Sequence, residues 1–221
     1  MKIYEKIRSV FKEVKIPVDN NNIYAELVVP SDVKGIVIIA YGSSRDRYNQ
    51  RNQLVARKLQ NQNIATLQLD LLTAEEDKNF LNRFDTQSLA ERLIDATDWV
   101  THDSNCEGLE ISYYGIGTGA AAAIIAATLD GGESIKSIVA IAGRVDLAGK
   151  SIKELTTPIM LIVGQNDKAI LGMNEEVFIN LNCTKKIAII PNTNHLFEEP
   201  GAMDKVSDLT TEWLNESLEA E

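Results

Sequence analysis

The chain has 221 residues, 44% of them apolar, and a formal net charge of −10. That length and apolar share suit a single domain with a well-buried core, and residues 1–221 read as one unit. So acidic a surface repels phosphate backbones and anionic lipid heads, which excludes nucleic acid and membranes as default partners; its simplest consequence is solubility.

In chain order, Met1 to Lys15 alternates charged with apolar residues and lacks a secretory h-region. No apolar run approaches about 18 residues, so the expectation is a soluble, cytoplasmic protein. Val10 to Val14 and Ile23 to Val29 alternate apolar and polar residues around the turn Asp19-Asn20-Asn21-Asn22, the pattern of an antiparallel hairpin. Residues 35–41 are continuously apolar, as in a central strand buried on both faces. Helical spacing of Leu54, Val55 and Leu59 marks 49–61, and a strand follows over 64–71. Residues 85–100 read as an amphipathic helix with Leu89, Leu93, Ile94 and Ala96 on one face.

From there strand and helix alternate. A strand over 109–115 runs into a helix over 118–129, and a strand over 135–142 precedes a polar loop and a short helical piece. A strand over 157–163 leads to a helix over 172–181, and a last strand over 186–191 to a closing helix over 202–219. This alternation predicts a three-layer α/β sandwich with a mainly parallel sheet of about eight strands, antiparallel only at the N-terminal hairpin. No Pro-, Gly- or Ser-rich linker and no internal repeat interrupts it.

Two cysteines, Cys106 and Cys183, fall in no CxxC or Cys/His ligand spacing and read as reduced thiols. The chain carries no metal motif, and the expectation is no metal and no cofactor. Of the two histidines, His102 ends an amphipathic helix, where a solvated cap near the negative dipole end is its simplest role.

Residues 113–119 read Tyr-Tyr-Gly-Ile-Gly-Thr-Gly, after an apolar stretch and before an alanine-rich one. A strand entering a helix through Gly-x-Ser-x-Gly is the nucleophile elbow of α/β hydrolases. Gly115 and Gly119 hold the outer positions, but the central one is Gly117, which has no side chain to attack a carbonyl. Gly-x-Gly-x-Gly also resembles a phosphate-cradling loop. A dinucleotide fingerprint, however, belongs to the first βαβ unit with an acidic residue at a strand end about 20 positions on. Here the motif is mid-chain and Asp130 ends a helix.

In an open α/β sheet, functional groups gather beyond the carboxyl ends of the strands. Four segments fall there: Tyr41-Gly42-Ser43-Ser44, the elbow, Gly164-Gln165-Asn166-Asp167, and Asn192-Thr193-Asn194-His195. Elbow, acid, histidine is the chain order of α/β-hydrolase triads. In that arrangement Asp167 orients the imidazole of His195, His195 is the general base, and backbone N–H groups of Thr118 and of the loop carrying Gly42 and Ser43 form the oxyanion hole. Read singly, Asp167 is a turn or cap residue and His195 a loop histidine; their order along the chain favours the joint reading. Thr118 and Ser43 are poor substitutes for the missing nucleophile, because both belong to the oxyanion side.

The chain resembles the dienelactone hydrolase-like branch of the α/β hydrolases, in its small bacterial members, over nearly its whole length. The stretches that carry the resemblance are Leu69-Asp-Leu-Leu-Thr73, the elbow with its alanine run, Gly143-Arg-Val-Asp-Leu147, Leu161-Ile-Val-Gly164 with Asp167, and His195-Leu-Phe-Glu-Glu-Pro-Gly201. Members of that branch usually carry Gly-Ala-Ser-Thr-Gly at the elbow and His-Gly where this chain has Tyr41-Gly42. Arg47, Arg51 with Asn52, and Arg144 match arginines of the family. The resemblance implies an α/β-hydrolase fold and an ester or lactone hydrolase ancestry.

Two functions follow as expectations. The first is a pseudoenzyme that binds a small ligand at the former active site, with Tyr41, Arg47, Arg51 and Arg144 around it. The arginines, if they point inward, favour an anion such as a carboxylate, and otherwise serve as surface salt bridges. The second is a weak hydrolase in which His195 activates water directly. A glycine introduced at 117 by design would read the same way, although Tyr41 is a second departure from the family pattern. The sequence leaves the oligomeric state open, a homo-oligomer included.

Overall fold

The computed structural model describes residues 10–19, 21–44 and 46–219. Most of the N-terminal charged stretch read above, and Asn20 within the hairpin turn, lie outside the described residues. Eight strands form one sheet in the order β1-β2-β4-β3-β5-β6-β7-β8. The strands β1 (Val10–Val18) and β2 (Asn21–Val29) pair antiparallel, and β2 pairs antiparallel with β4 (Ile64–Asp70). From β4 onward, through β3 (Gly35–Tyr41), β5 (Ile111–Ile116), β6 (Ile138–Ile141), β7 (Ile159–Gly164) and β8 (Lys185–Ile190), neighbours are parallel.

The period-two alternation of strand side chains divides the core into two layers. Along β3, Ile36, Ile38 and Ala40 face one layer and Val37, Ile39 and Tyr41 the other. The first layer is covered by α2 (Thr86–His102), α3 (Thr118–Ala126) and α5 (Lys168–Asn180), the second by α1 (Gln50–Asn61) and α6 (Ala202–Glu219). A short helix α4 (Ser151–Glu154) precedes β7. The helix α3 is apolar all round and buried from Gly119 to Ala126. Its small side chains let it sit between α2 and the sheet.

Right-handed crossovers explain which helix lies on which face. The chain moves from β3 to β4 through α1, then crosses back over β3 to β5 through α2, so the direction of winding reverses at β3. The carboxyl ends of β3 and β5 are therefore adjacent at a topological switch point, the place where such sheets open a crevice.

Three details differ from the sequence reading. The helix expected over 172–181 begins at Lys168, because Asp167 caps it by accepting from the Ile170 N–H, and Gly172 is carried inside the helix. The strand expected over 135–142 shortens to Ile138–Ile141. Residues 76–84, given no element above, fold as two single-turn 3₁₀ segments, Glu76–Lys78 and Phe80–Phe84. Among the described residues, no helix is long and apolar enough to cross a membrane, and no group of three or more His, Cys, Asp or Glu is placed to hold a metal ion. Both cysteines are free thiols.

Candidate functional site

Gly117 sits between β5 and α3 with φ 59° and ψ −120°, a region essentially reserved for glycine. The bend is pinned on three sides. Its N–H donates to the Ile141 carbonyl, and its own carbonyl accepts from the N–H groups of Ala120 and Arg144. The flanking glycines are required by close approach. A Cβ at Gly115 would lie 2.6 Å from the Gly119 carbonyl oxygen, and one at Gly119 2.3 Å from the Ala40 carbonyl oxygen. A Cβ at Gly42 would lie 1.9 Å from Thr118 Oγ1, so the loop after β3 packs directly on the elbow. At Gly117 a Cβ would meet nothing within 4 Å.

The histidine comes from the loop after β8. Asn192, at φ 55°, turns the chain, and Asn194 holds the loop by accepting from the Leu196 N–H while its own N–H donates to Glu199. The Nδ1 of His195 lies 2.7 Å from Asp167 Oδ2. A carboxylate only accepts, so Nδ1 carries the proton and Nε2 presents a lone pair. Nε2 has no hydrogen-bond partner among the described residues. Asp167 thus serves twice, with Oδ1 capping α5 and Oδ2 holding the imidazole.

A cavity of about 310 Å³ opens at the switch point and is bordered by Gly42, Ser43, Arg51, Gly117, Thr118 and His195. These six come from the loop after β3, the first turn of α1, the bend leading into α3 and the loop after β8. The apolar part of its wall is Phe84, Ile116, Ile141, Leu196, Phe197 and Met203. Ala142 and Phe197, both on the wall, hold φ of 44° and 52°, strained for residues with a Cβ. Ser43 donates to Asp46, which also borders the cavity.

Three residues expected around the ligand do not border this cavity. Tyr41 is fully buried in the core, because β3 points it into the layer below α1 and α6; its hydroxyl donates to Gln68 Oε1 at 3.1 Å. Burial, with Tyr114 and Asp70 nearby, pushes its pKa well above that of a free tyrosine. Arg47 is buried beside Asp70, with Nε 3.3 Å from Oδ2, and its guanidinium lies over the Tyr48 ring. Arg144 pairs through two nitrogens with Asp146, at 2.9 and 2.8 Å. The direction of an arginine is set by the carboxylate it finds, and the sequence does not show which that is. Arg51 alone of the three borders the cavity, bonded to the Leu196 carbonyl and 3.6 Å from Glu198.

Several residues on the wall went unread in the sequence. Arg83 and Phe84 arrive on the 3₁₀ strap, where Asp77 binds Arg83 at 2.6 and 3.0 Å and also accepts from the Ser44 N–H and hydroxyl. Glu76 accepts two bonds from Arg92, at 2.9 and 2.7 Å. Those bonds, with Thr73, hold Glu76 at about 2 against the upward pull of burial. Phe80-Leu81-Asn82-Arg83-Phe84, an apolar cluster inside a polar stretch, was the available signal.

The strand order, the bend after β5 and the carboxylate–imidazole pair after β7 and β8 define an α/β-hydrolase fold. No family model matches the chain. It superposes on the crystal structure of dienelactone hydrolase from Anabaena variabilis with a TM-score of 0.87 and 40% identity, over 94% of this chain and 97% of that one. The chain belongs to the dienelactone hydrolase-like family of α/β hydrolases. Est1E from Butyrivibrio proteoclasticus, at 14% identity and a TM-score of 0.79 over 94% and 99% of the two chains, shares the fold. A curated Mycobacterium tuberculosis protein named "Putative phosphoribosyl transferase" is 37% identical over 207 residues. Those residues are 94% of this chain and 46% of the relative, so the chain spans about half the length of the curated relatives it matches.

Proposed function

We propose that the chain is a dienelactone hydrolase-like protein that has lost its nucleophile and binds a small ligand at the former active site. The observation that carries this reading is the pairing of an intact Asp167–His195 hydrogen bond with a glycine at the bend across the same cavity. The Nδ1 contact of the imidazole is in place, and the position from which a side chain would attack has none. Ester chemistry through a covalent acyl intermediate needs that atom.

The ligand is small and carries an oxyanion or carboxylate. Support comes from the head of α3, where Thr118 borders the cavity and the first N–H groups have no acceptor within the helix, that of Ala120 being taken by Gly117, and from Arg51 on the same wall. Arg47 and Arg144 add nothing, since neither borders the cavity, whereas Arg51 does, with the exposed Glu198 carboxylate 3.6 Å away. A thermal-shift screen with acetate, butanoate and small dicarboxylates tests the reading. The expected result is stabilisation that is lost in Arg51→Ala and His195→Ala; a melting temperature unmoved by every acid removes it.

One observation favours a second reading. The lone pair on Nε2 is unengaged and the imidazole is half exposed, so His195 is able to activate a water for direct attack on an ester. Loss of a triad nucleophile leaves about 10³–10⁴-fold over water in studied proteases, enough only for activated esters. Turnover of p-nitrophenyl acetate above background, abolished in His195→Ala, is the expected outcome for that route; equal rates for the two proteins exclude it. Gly117→Ser separates the readings further, because a Cβ there meets nothing within 4 Å and His195 borders the same cavity. Esterase activity gained by that single change is expected if the remaining parts are intact.

A further inference from the structure

We infer that the ligand is an amphiphile whose unbranched apolar tail leaves the cavity across the phenyl rings of Phe84 and Phe80. This rests on the reading that the cavity binds a ligand with an anionic head. The apolar wall does not stop at the cavity mouth. Phe84 borders the cavity, and Phe80 lies edge-on to it with ring centroids 5.2 Å apart. Phe84 and Leu196 on the cavity wall are 38% and 47% exposed, and Phe80 against Phe84 is 59% exposed, so three large apolar side chains stand in water beside one opening. A single exposed apolar residue is ordinary; a contiguous track that continues a cavity wall is the signature of a ligand longer than the cavity.

The track is held rigid from beneath. Asp77 ties the strap to Ser44, in the loop that carries Gly42 and Ser43, and Glu76 ties it to Arg92 on α2. A pre-ordered apolar surface loses little entropy when a tail lies on it. A second groove adjoins the cavity, sharing Arg51, Phe197 and Met203 with its wall and running past Leu54. That groove also carries Glu198, Glu199 and Asp204, three carboxylates that a hydrocarbon chain would have to desolvate. On the strap side the charges beside the rings are two guanidinium groups, Arg83 over Phe80 and Arg144 over Phe84, each already paired with a carboxylate, Asp77 and Asp146.

The test is a titration of n-alkanoates from butanoate to decanoate into the protein by calorimetry, with decanol as a probe that lacks the head group. Affinity is expected to tighten about two- to fourfold for each added methylene. In Phe80→Ser, a substitution at an exposed position outside the cavity, butanoate should bind as before and decanoate about tenfold more weakly; Phe84→Ala, on the cavity wall, should weaken decanoate by a larger factor than butanoate. A flat series with butanoate bound overturns the tail and leaves the anionic site standing. A slope that survives both substitutions unchanged also overturns it. Decanol bound as tightly as decanoate keeps the tail and removes the anionic head. No binding at any length overturns both. A dimer that Phe80→Ser dissociates, with no chain-length dependence, assigns the track to a second copy of the chain and overturns the proposal.

Discussion

At the residue scale the glycines of the elbow are not equivalent. Gly115 and Gly119 are fixed by contact, whereas Gly117 is fixed only by its dihedrals. Gly119→Ala drives a Cβ into the Ala40 carbonyl and should lower unfolding free energy by about 3 kcal/mol or more, or abolish folding. Gly117→Ser and Gly117→Ala should each cost about 1–3 kcal/mol, equally, because the strain is in the backbone and both side chains have room. Urea melts of the three variants check the ranking. Asp167 allows its two tasks to be separated. Asn caps helices as well as Asp, so Asp167→Asn should keep stability while losing the ionised acceptor for His195; Asp167→Ala should lose about 0.5–2 kcal/mol as well. Both should abolish His195-dependent binding or turnover, and only the alanine variant should melt earlier.

At the element scale the 3₁₀ strap is the part most open to pH. Glu76 sits at about 2 in the folded chain against an ordinary 4.5, held down by Arg92. A carboxylate lowered in this way stabilises the fold above about pH 4.5, and that contribution fades as the pH falls toward 2. Amide-exchange protection factors over residues 73–84 should therefore fall through that acid window before those of the strands. Arg92→Met should produce the same loss of protection at neutral pH. Most elements were legible beforehand for a physical reason: a buried parallel strand such as 35–41 is one apolar run, and a helix such as 86–102 shows its stripe. The strap was not, since single 3₁₀ turns are too short to set up a period. Nor was the start of α5: the sequence reads as a helix from 172, although Asp167 taken singly is already a cap residue. Chain order was enough to bring Asp167, His195, Gly117 and Gly42 to one crevice on paper. Which way Tyr41 and Arg47 turn was not, because each is decided by a partner distant in sequence, Gln68 and Asp70; Arg144 turns to Asp146, only two residues on.

At the scale of the whole molecule the two core layers meet only through the sheet, and the layer under α2 and α3 reaches as far as Cys106. Burial, reinforced by Asp103, pushes that thiol up to about 11. At pH 8 iodoacetamide should leave Cys106 unmodified in the folded protein. Its alkylation in rising urea should follow the global transition seen by circular dichroism rather than precede it. Labelling well before that midpoint would mean that the α2–α3 layer opens independently of the sheet.

The dihedrals at the head of α3 also give evolution a direction. A glycine there is the most relaxed occupant the bend can have, and any residue with a Cβ is lifted above it. Once a lineage has this residue, thermodynamic drift acts as a ratchet: returning to an attacking side chain means accepting a less stable protein at the moment of reversal, before any chemistry has been regained.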